Sequence, residues 1–149
     1  MRLHNTPLCS PDFKARHGIK RPEDLLRVPR LSGDDPLWRA WLRVAGVAEH
    51  EPPGAGGIRL DSQVAEGNAA LAGHAVGLLT PLYWRTELAE GRLVRLFEPM
   101  VFERGSMWLV YPEHKRARPK IRAFRAWLEG AIRREAELGP AEVFIPPEP

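Results

Sequence analysis

Few residues in this sequence could do covalent chemistry, and they are scattered. Cys9 lies in Leu8-Cys9-Ser10-Pro11 with no adjacent basic group to lower its pKa, so it reads as a packed or partly exposed thiol. As the one cysteine, it also excludes a disulfide framework and any Cys-based zinc site within the chain. His4, His17, His50, His74 and His114 show no i, i+4 metal-ligand pairing. His74, between Gly73 and the apolar Ala75-Val76, reads as a core or rim histidine. Asp34-Asp35 could act as a carboxylate pair, but capping of a helix opening at Pro36 accounts for both. No serine sits in a Gly-x-Ser-x-Gly frame. Gly54-Ala55-Gly56-Gly57 lacks the Lys-Ser/Thr of a phosphate loop and precedes a strand where such a loop follows one. An enzyme therefore finds no anchor here, and neither a metal nor a cofactor is expected.

Two segments remain. Residues 113–134 carry eight basic side chains against two acidic ones, with Phe124 and Trp127 among them, an arrangement that can bind nucleic acid. The aromatics, however, fall on the apolar stripe of a helix and are needed for packing. That leaves Arg116, Arg118, Arg122 and Arg125 as a solvated face with no sequence-specific DNA contact. The second segment is Asp61-Ser62-Gln63, at the carboxyl end of a strand and the amino end of a helix. Backbone N–H groups and the helix dipole at such a turn hold polar or anionic ligands, and plain N-capping uses the same residues.

These segments must be positioned by short, mixed elements. In 149 residues, 44% are apolar and 28% charged, which suits one folded domain or one plus part of another. Thirteen glycines and fifteen prolines favour many short elements. A net charge of +3 is too small to argue nucleic-acid binding by itself. Neither a membrane span nor a signal peptide is legible, so a cytoplasmic protein is expected. Pro7–Ser10 reads as extended, Pro22–Leu26 as one helical turn, and Leu37, Trp38, Trp41, Leu42 and Ala45 as one face of a helix ended by Gly46. Glu49–Gly57 is a loop. Ile58–Leu60 as a strand, Gln63–Ala72 as a helix and Ala75–Leu79 as a doubly buried strand predict a short, parallel βαβ crossover. Its geometry would bring Thr80 beside the Asp61 turn. Leu82–Glu90 reads as helical, Arg92–Phe97 and Ser106–Tyr111 as strands. Ile121, Phe124, Trp127, Leu128, Ala131 and Ile132 make the stripe of a final helix opening at Pro119.

Several pieces, in order, resemble the effector-binding domain of LysR-type transcriptional regulators, in particular the subgroup of the glycine-cleavage and β-lactamase-inducer regulators. They are Pro7-Leu8-Cys9-Ser10-Pro11, Pro22-Glu23-Asp24-Leu25, Trp38-Arg39-Ala40-Trp41-Leu42 with Ala45-Gly46-Val47, and Asp61-Ser62. Ala69 to Leu78, Leu88 to Val94, Trp108 to Pro112 and Pro119 to Leu128 complete the set.

The resemblance implies an α/β, type 2 periplasmic-binding-protein-like fold, of which the chain would hold the second lobe, the returning strand and the final helix of the first lobe. Residues 1–112 would be that second lobe, 113–138 the final helix and 139–149 a flexible tail. The helix-turn-helix and most of the first lobe have no match in the sequence, as in a fragment or a natural truncation. The implied function is sensing of a small-molecule effector without chemistry. The implied site is Asp61, Ser62 and Gln63, with Thr80 and Trp108 as neighbours, Trp108 entering only through the family pattern. With the first lobe missing, the final helix would leave part of its stripe open to self-association. The rivals are a free-standing solute-binding module of the same fold and a fragment without function.

Overall fold

The computed structural model describes residues 3–47, 58–102 and 108–138. Two compact units divide the chain, His4–Glu103 in one and Arg104–Pro149 with Met1–Leu3 in the other.

The larger unit is built around β1 (His4–Cys9), a strand buried along its whole length. Ser10 caps α1 (Pro11–His17) by accepting the Phe13 N–H, with Pro11 at the first helical position, and Gly18 ends the helix at φ +61°. A 3₁₀ turn at Pro22–Leu26 leads to α2 (Pro36–Val44), capped by Asp35, whose Oδ1 accepts the Leu37 N–H at 2.7 Å. After α3 (Gln63–Leu71) come β2 (Gly77–Leu79), a 3₁₀ turn at Pro81–Trp84, α4 (Arg85–Ala89), β3 (Val94–Arg95) and β4 (Val101–Phe102).

All three short strands pair antiparallel with β1: β2 along Thr6–Leu8 on one side, β3 at Leu8 and Cys9 on the other, and β4 at His4 and Asn5. Along β1, Pro7 falls between the residues that pair with β3 and those that pair with β4. Its carbonyl accepts the Leu96 N–H at 3.1 Å, and because its ring nitrogen on the same side has no hydrogen to return, this pair keeps a single hydrogen bond where β3 ends. Alternation along the strands divides the core between two faces. Cys9, Val76 and Leu78 join Phe13, Trp38 and Trp41 on one face, while Leu8 and Leu79 join Ala70, Leu93 and Trp84 on the other. Gly67 makes the second face possible, since a Cβ there would lie 1.7 Å from the Trp84 ring.

Several expectations are corrected. Ile58–Leu60 forms no strand: the Ile58 carbonyl accepts the Ser32 N–H, and the Leu60 N–H reaches the Ser32 hydroxyl. A side chain has taken the place of a ladder partner. The parallel crossover therefore does not form as read, because Val76 bridges Arg30 in parallel and β2 pairs antiparallel with β1. The 92–97 strand shrinks to Val94–Arg95, and residues 108–111 of the expected 106–111 strand have no regular structure. Helix α1 and strand β4 were not foreseen. The loop at 49–57, residues 106–107 and the tail at 139–149 lie outside the described residues.

In the smaller unit, a 3₁₀ turn at Glu113–Lys115 precedes α5 (Pro119–Leu138). Phe124 and Trp127 stack at 5.6 Å between ring centroids and are both exposed, while Ile121, Leu128, Ala131 and Ile132 are half-buried. The aromatics of the stripe are thus not packed away. Arg116, Arg118 and Arg122 are exposed as expected, but Arg125 is half-buried over the Tyr111 ring. Among the described residues, no helix is long and apolar enough to cross a membrane.

Candidate functional site

The turn between Leu60 and α3 is held from three directions. Ser62, extended at φ −148°, ψ 145°, accepts the Ala65 N–H through its hydroxyl at 3.2 Å and the Glu66 N–H through its carbonyl at 3.0 Å. That makes it a true N-cap. Ser32 holds the turn from below. At φ +44° it adopts a left-handed backbone that costs a non-glycine residue about 1–3 kcal/mol, and its hydroxyl donates to Glu66 Oε1 at 2.5 Å. An exposed ion pair at 2.5 Å joins Arg59 to Asp34 beside it. Burial pushes the Glu66 carboxyl above its ordinary range; the Ser32 hydrogen bond opposes the shift and the Asp35 charge adds to it.

The third tie is a closed ring of polar groups. Gln63 Oε1 accepts the Thr80 backbone N–H at 3.0 Å, and Gln63 Nε2 donates to Asn5 Oδ1 at 3.0 Å. Thr80 Oγ1 donates to the same Asn5 oxygen at 2.7 Å. Asn5 and Thr80 are fully buried and Gln63 half-buried, so the ring lies at the edge of the core. Beside it on β1, the Thr6 hydroxyl faces the Phe97 and Pro99 carbonyls, and Trp41 Nε1 donates to Pro99 at 2.8 Å.

The structure therefore joins Gln63 to Thr80 and sets them next to the exposed Asp61 and Ser62. The expected neighbourhood is present although the crossover that argued for it is not. Trp108 belongs to the other unit and is 69% exposed. Asn5, Ser32 and Glu66 went unrecognised in the sequence. The run His4-Asn5-Thr6, polar in front of an apolar strand, was the available signal for the first.

The remaining chemistry is quiet. Cys9 is buried, and burial pushes its thiol up to about 11 against a weak opposing pull from Lys14. Burial and a raised pKa are the opposite of what an activated thiol needs. His74 is exposed, correcting its reading as a core or rim residue. Burial, then the Arg95 charge, lowers the pKa of His4. Among the described residues, no cluster of His, Cys, Asp or Glu could hold a metal ion. The arrangement sets the exposed amino end of α3 beside a hydrogen-bonded polar ring.

A family model described as LysR substrate binding domain matches residues 4–133. The chain is 32% identical over 130 residues to the HTH-type transcriptional regulator PerR of Escherichia coli (strain K12). It is 34% identical over 124 residues to the HTH-type transcriptional activator AmpR of Enterobacter cloacae. These alignments cover 83% and 82% of this chain but 41% of each relative, so the chain spans about two-fifths of their length. Among solved structures, the effector domain of the transcriptional regulator AmpR of Pseudomonas aeruginosa superposes with a TM-score of 0.75 at 29% identity. It covers 93% of this chain and 67% of that one. The α/β fold is that of these periplasmic-binding-protein-like domains.

Proposed function

The chain belongs to the LysR substrate-binding-domain family, and on that premise we propose that it senses a small-molecule effector as part of a LysR-type transcriptional regulator. It would work in the cytoplasm, perform no chemistry and read no DNA sequence. We assign residues 1–112 to the second lobe, 113–138 to the final helix and 139–149 to a tail. The effector site is the turn at Asp61, Ser62 and Gln63 with Thr80; Trp108, in the other unit, is left out of it. The observation that carries this reading is the capped turn itself: exposed Asp61 and Ser62 open a nine-residue helix beside a buried polar ring. A helix amino end offers N–H groups and a favourable dipole to a polar or anionic group. An effector acts only through its different affinity for two states of the domain, so ligand-induced stabilisation is the natural readout.

The test is to find a stabilising metabolite by thermal shift and compare its affinity for wild type, Ser62→Ala, and Ser62→Ala with Gln63→Ala. Loss of affinity in folded Ser62→Ala supports the site. Unchanged affinity in folded Ser62→Ala removes it, the double variant reading the added effect of Gln63, and leaves Ser62 a plain cap, worth about 0.5–2 kcal/mol of stability.

A further inference from the structure

The orientation of every amide in the polar ring follows from one group that can only donate. The Thr80 backbone N–H faces Gln63, so the atom it meets must be the Gln63 oxygen. The Gln63 nitrogen then faces Asn5, which must present its own oxygen, and the Thr80 hydroxyl donates to that same oxygen. Seen without Gln63, the buried pair offers one donor and one acceptor side by side: the complement of a planar carboxamide. Gln63 alone of the three has appreciable surface exposure.

We propose that the Thr80 N–H and the Asn5 carboxamide oxygen form a receptor for a carboxamide-like group, that Gln63 fills it as an internal surrogate, and that an effector bearing such a group seats by displacing Gln63. The inference rests on the reading of the Asp61–Gln63 turn as the effector site. Exchange of one amide for another keeps the hydrogen bonds to the Thr80 N–H and to the Asn5 oxygen, so neither of those two groups loses its partner. A carboxylate instead sets an oxygen against the Asn5 oxygen, and an amide without an N–H leaves that oxygen one donor short. Sites built to hydrogen-bond a group discriminate strongly against analogues that lack it. Gln63 is also the first residue of α3, and its side chain ties that helix to β1. Displacement would release this tie and pass the binding event to the central strand.

The test uses acetamide, the isostere of the group removed by Gln63→Ala. In the full chain carrying that substitution, acetamide should raise the thermal midpoint in a concentration-dependent way at roughly millimolar levels. Acetate and N,N-dimethylacetamide should not, and wild type should show no such rise. Equal responses to the three compounds, an equal rise in wild type, or no response to acetamide each overturn the proposal. A variant unfolded in buffer should regain its folded circular-dichroism signal in acetamide, and failure to do so overturns it as well. Acetamide rescue beside an unchanged metabolite affinity in Ser62→Ala would keep the receptor and remove the effector reading. A metabolite that loses affinity with Ser62→Ala, without acetamide rescue, would keep the effector site and remove the surrogate.

Discussion

Two helices place aromatic residues at the same spacing with opposite outcomes. Trp38 and Trp41 in α2 are 2% and 0% exposed, whereas Phe124 and Trp127 in α5 are 48% and 61% exposed. Propensity and periodicity do not separate them. What differs is cover: α2 lies on one face of a four-stranded sheet whose other face is also packed. Hydrophobic stabilisation follows area removed from water, so the same side chain stabilises one helix and leaves the other dependent on something further. The spacing of apolar residues tells which face wants burial. It does not tell whether the chain supplies the surface that buries it.

The contrast is broken most directly by truncation. Trp41→Ala should destabilise by about 3–5 kcal/mol, losing a buried ring and the hydrogen bond to the Pro99 carbonyl. Trp127→Ala should change stability by no more than about 0.5 kcal/mol while lowering any concentration-dependent association in light scattering. Chemical denaturation reads the first, and equal losses in the two variants would mean that α5 is covered in solution after all. Next in size is Gly67→Ala. The added methyl meets the Trp84 ring, and shifting that ring against the Leu8–Leu79 cluster should cost at least about 1–3 kcal/mol despite the gain in helix propensity. A stabilised Gly67→Ala would show that Trp84 has room to move.

The same distinction explains what the sequence made legible. The α2, α3 and α5 helices were readable because their caps and stripes are local: Asp35 and Ser62 both act as caps, and Pro119 opens the last helix. Helix α1 was locally legible too, from Ser10-Pro11-Asp12, and was overlooked because the extended reading ran up to Ser10. Strand partners are another matter. A two-residue strand such as β4 has no periodicity to detect, and whether Val76 pairs with Leu60 or Arg30 is decided by contacts remote in sequence. At the site, the capping role of Ser62 was local and visible. The ring through Asn5, 58 residues from Gln63 and 75 from Thr80, was not.

Inside the well-covered unit one residue resists the pattern. Arg30 is buried, its Nε lacks a hydrogen-bond partner, and its guanidinium lies 5.5 Å from the Trp38 ring centroid. Among the described residues no carboxylate pairs with it. Burial accordingly lowers its pKa. The ring face returns part of the desolvation cost but not all. Arg30→Met, similar in reach and without charge, should therefore stabilise the domain by about 1 kcal/mol. A measured loss of stability would show that the charge has a partner in solution.

The smallest expected effect is at Glu66, and its sign is set by linkage. Burial holds the folded-state pKa above the ordinary 4.5, so the folded protein binds this proton more tightly than the unfolded chain. The contribution is fully present below that ordinary value and is lost as pH rises through the folded-state pKa. In its charged form the carboxylate is half-buried and near Asp35, with the Ser32 hydroxyl as its compensation. Glu66→Gln keeps an oxygen for that hydroxyl and removes the charge. It should stabilise the protein by about 0.5 kcal/mol at pH 7 and flatten the slope of stability against pH just above the ordinary carboxyl range. Denaturation series for the two proteins at several pH values read both quantities. A wild-type stability that instead rose with pH relative to the variant would mean that the Ser32 hydrogen bond outweighs burial, and that the charged form of Glu66 is the one that holds the turn.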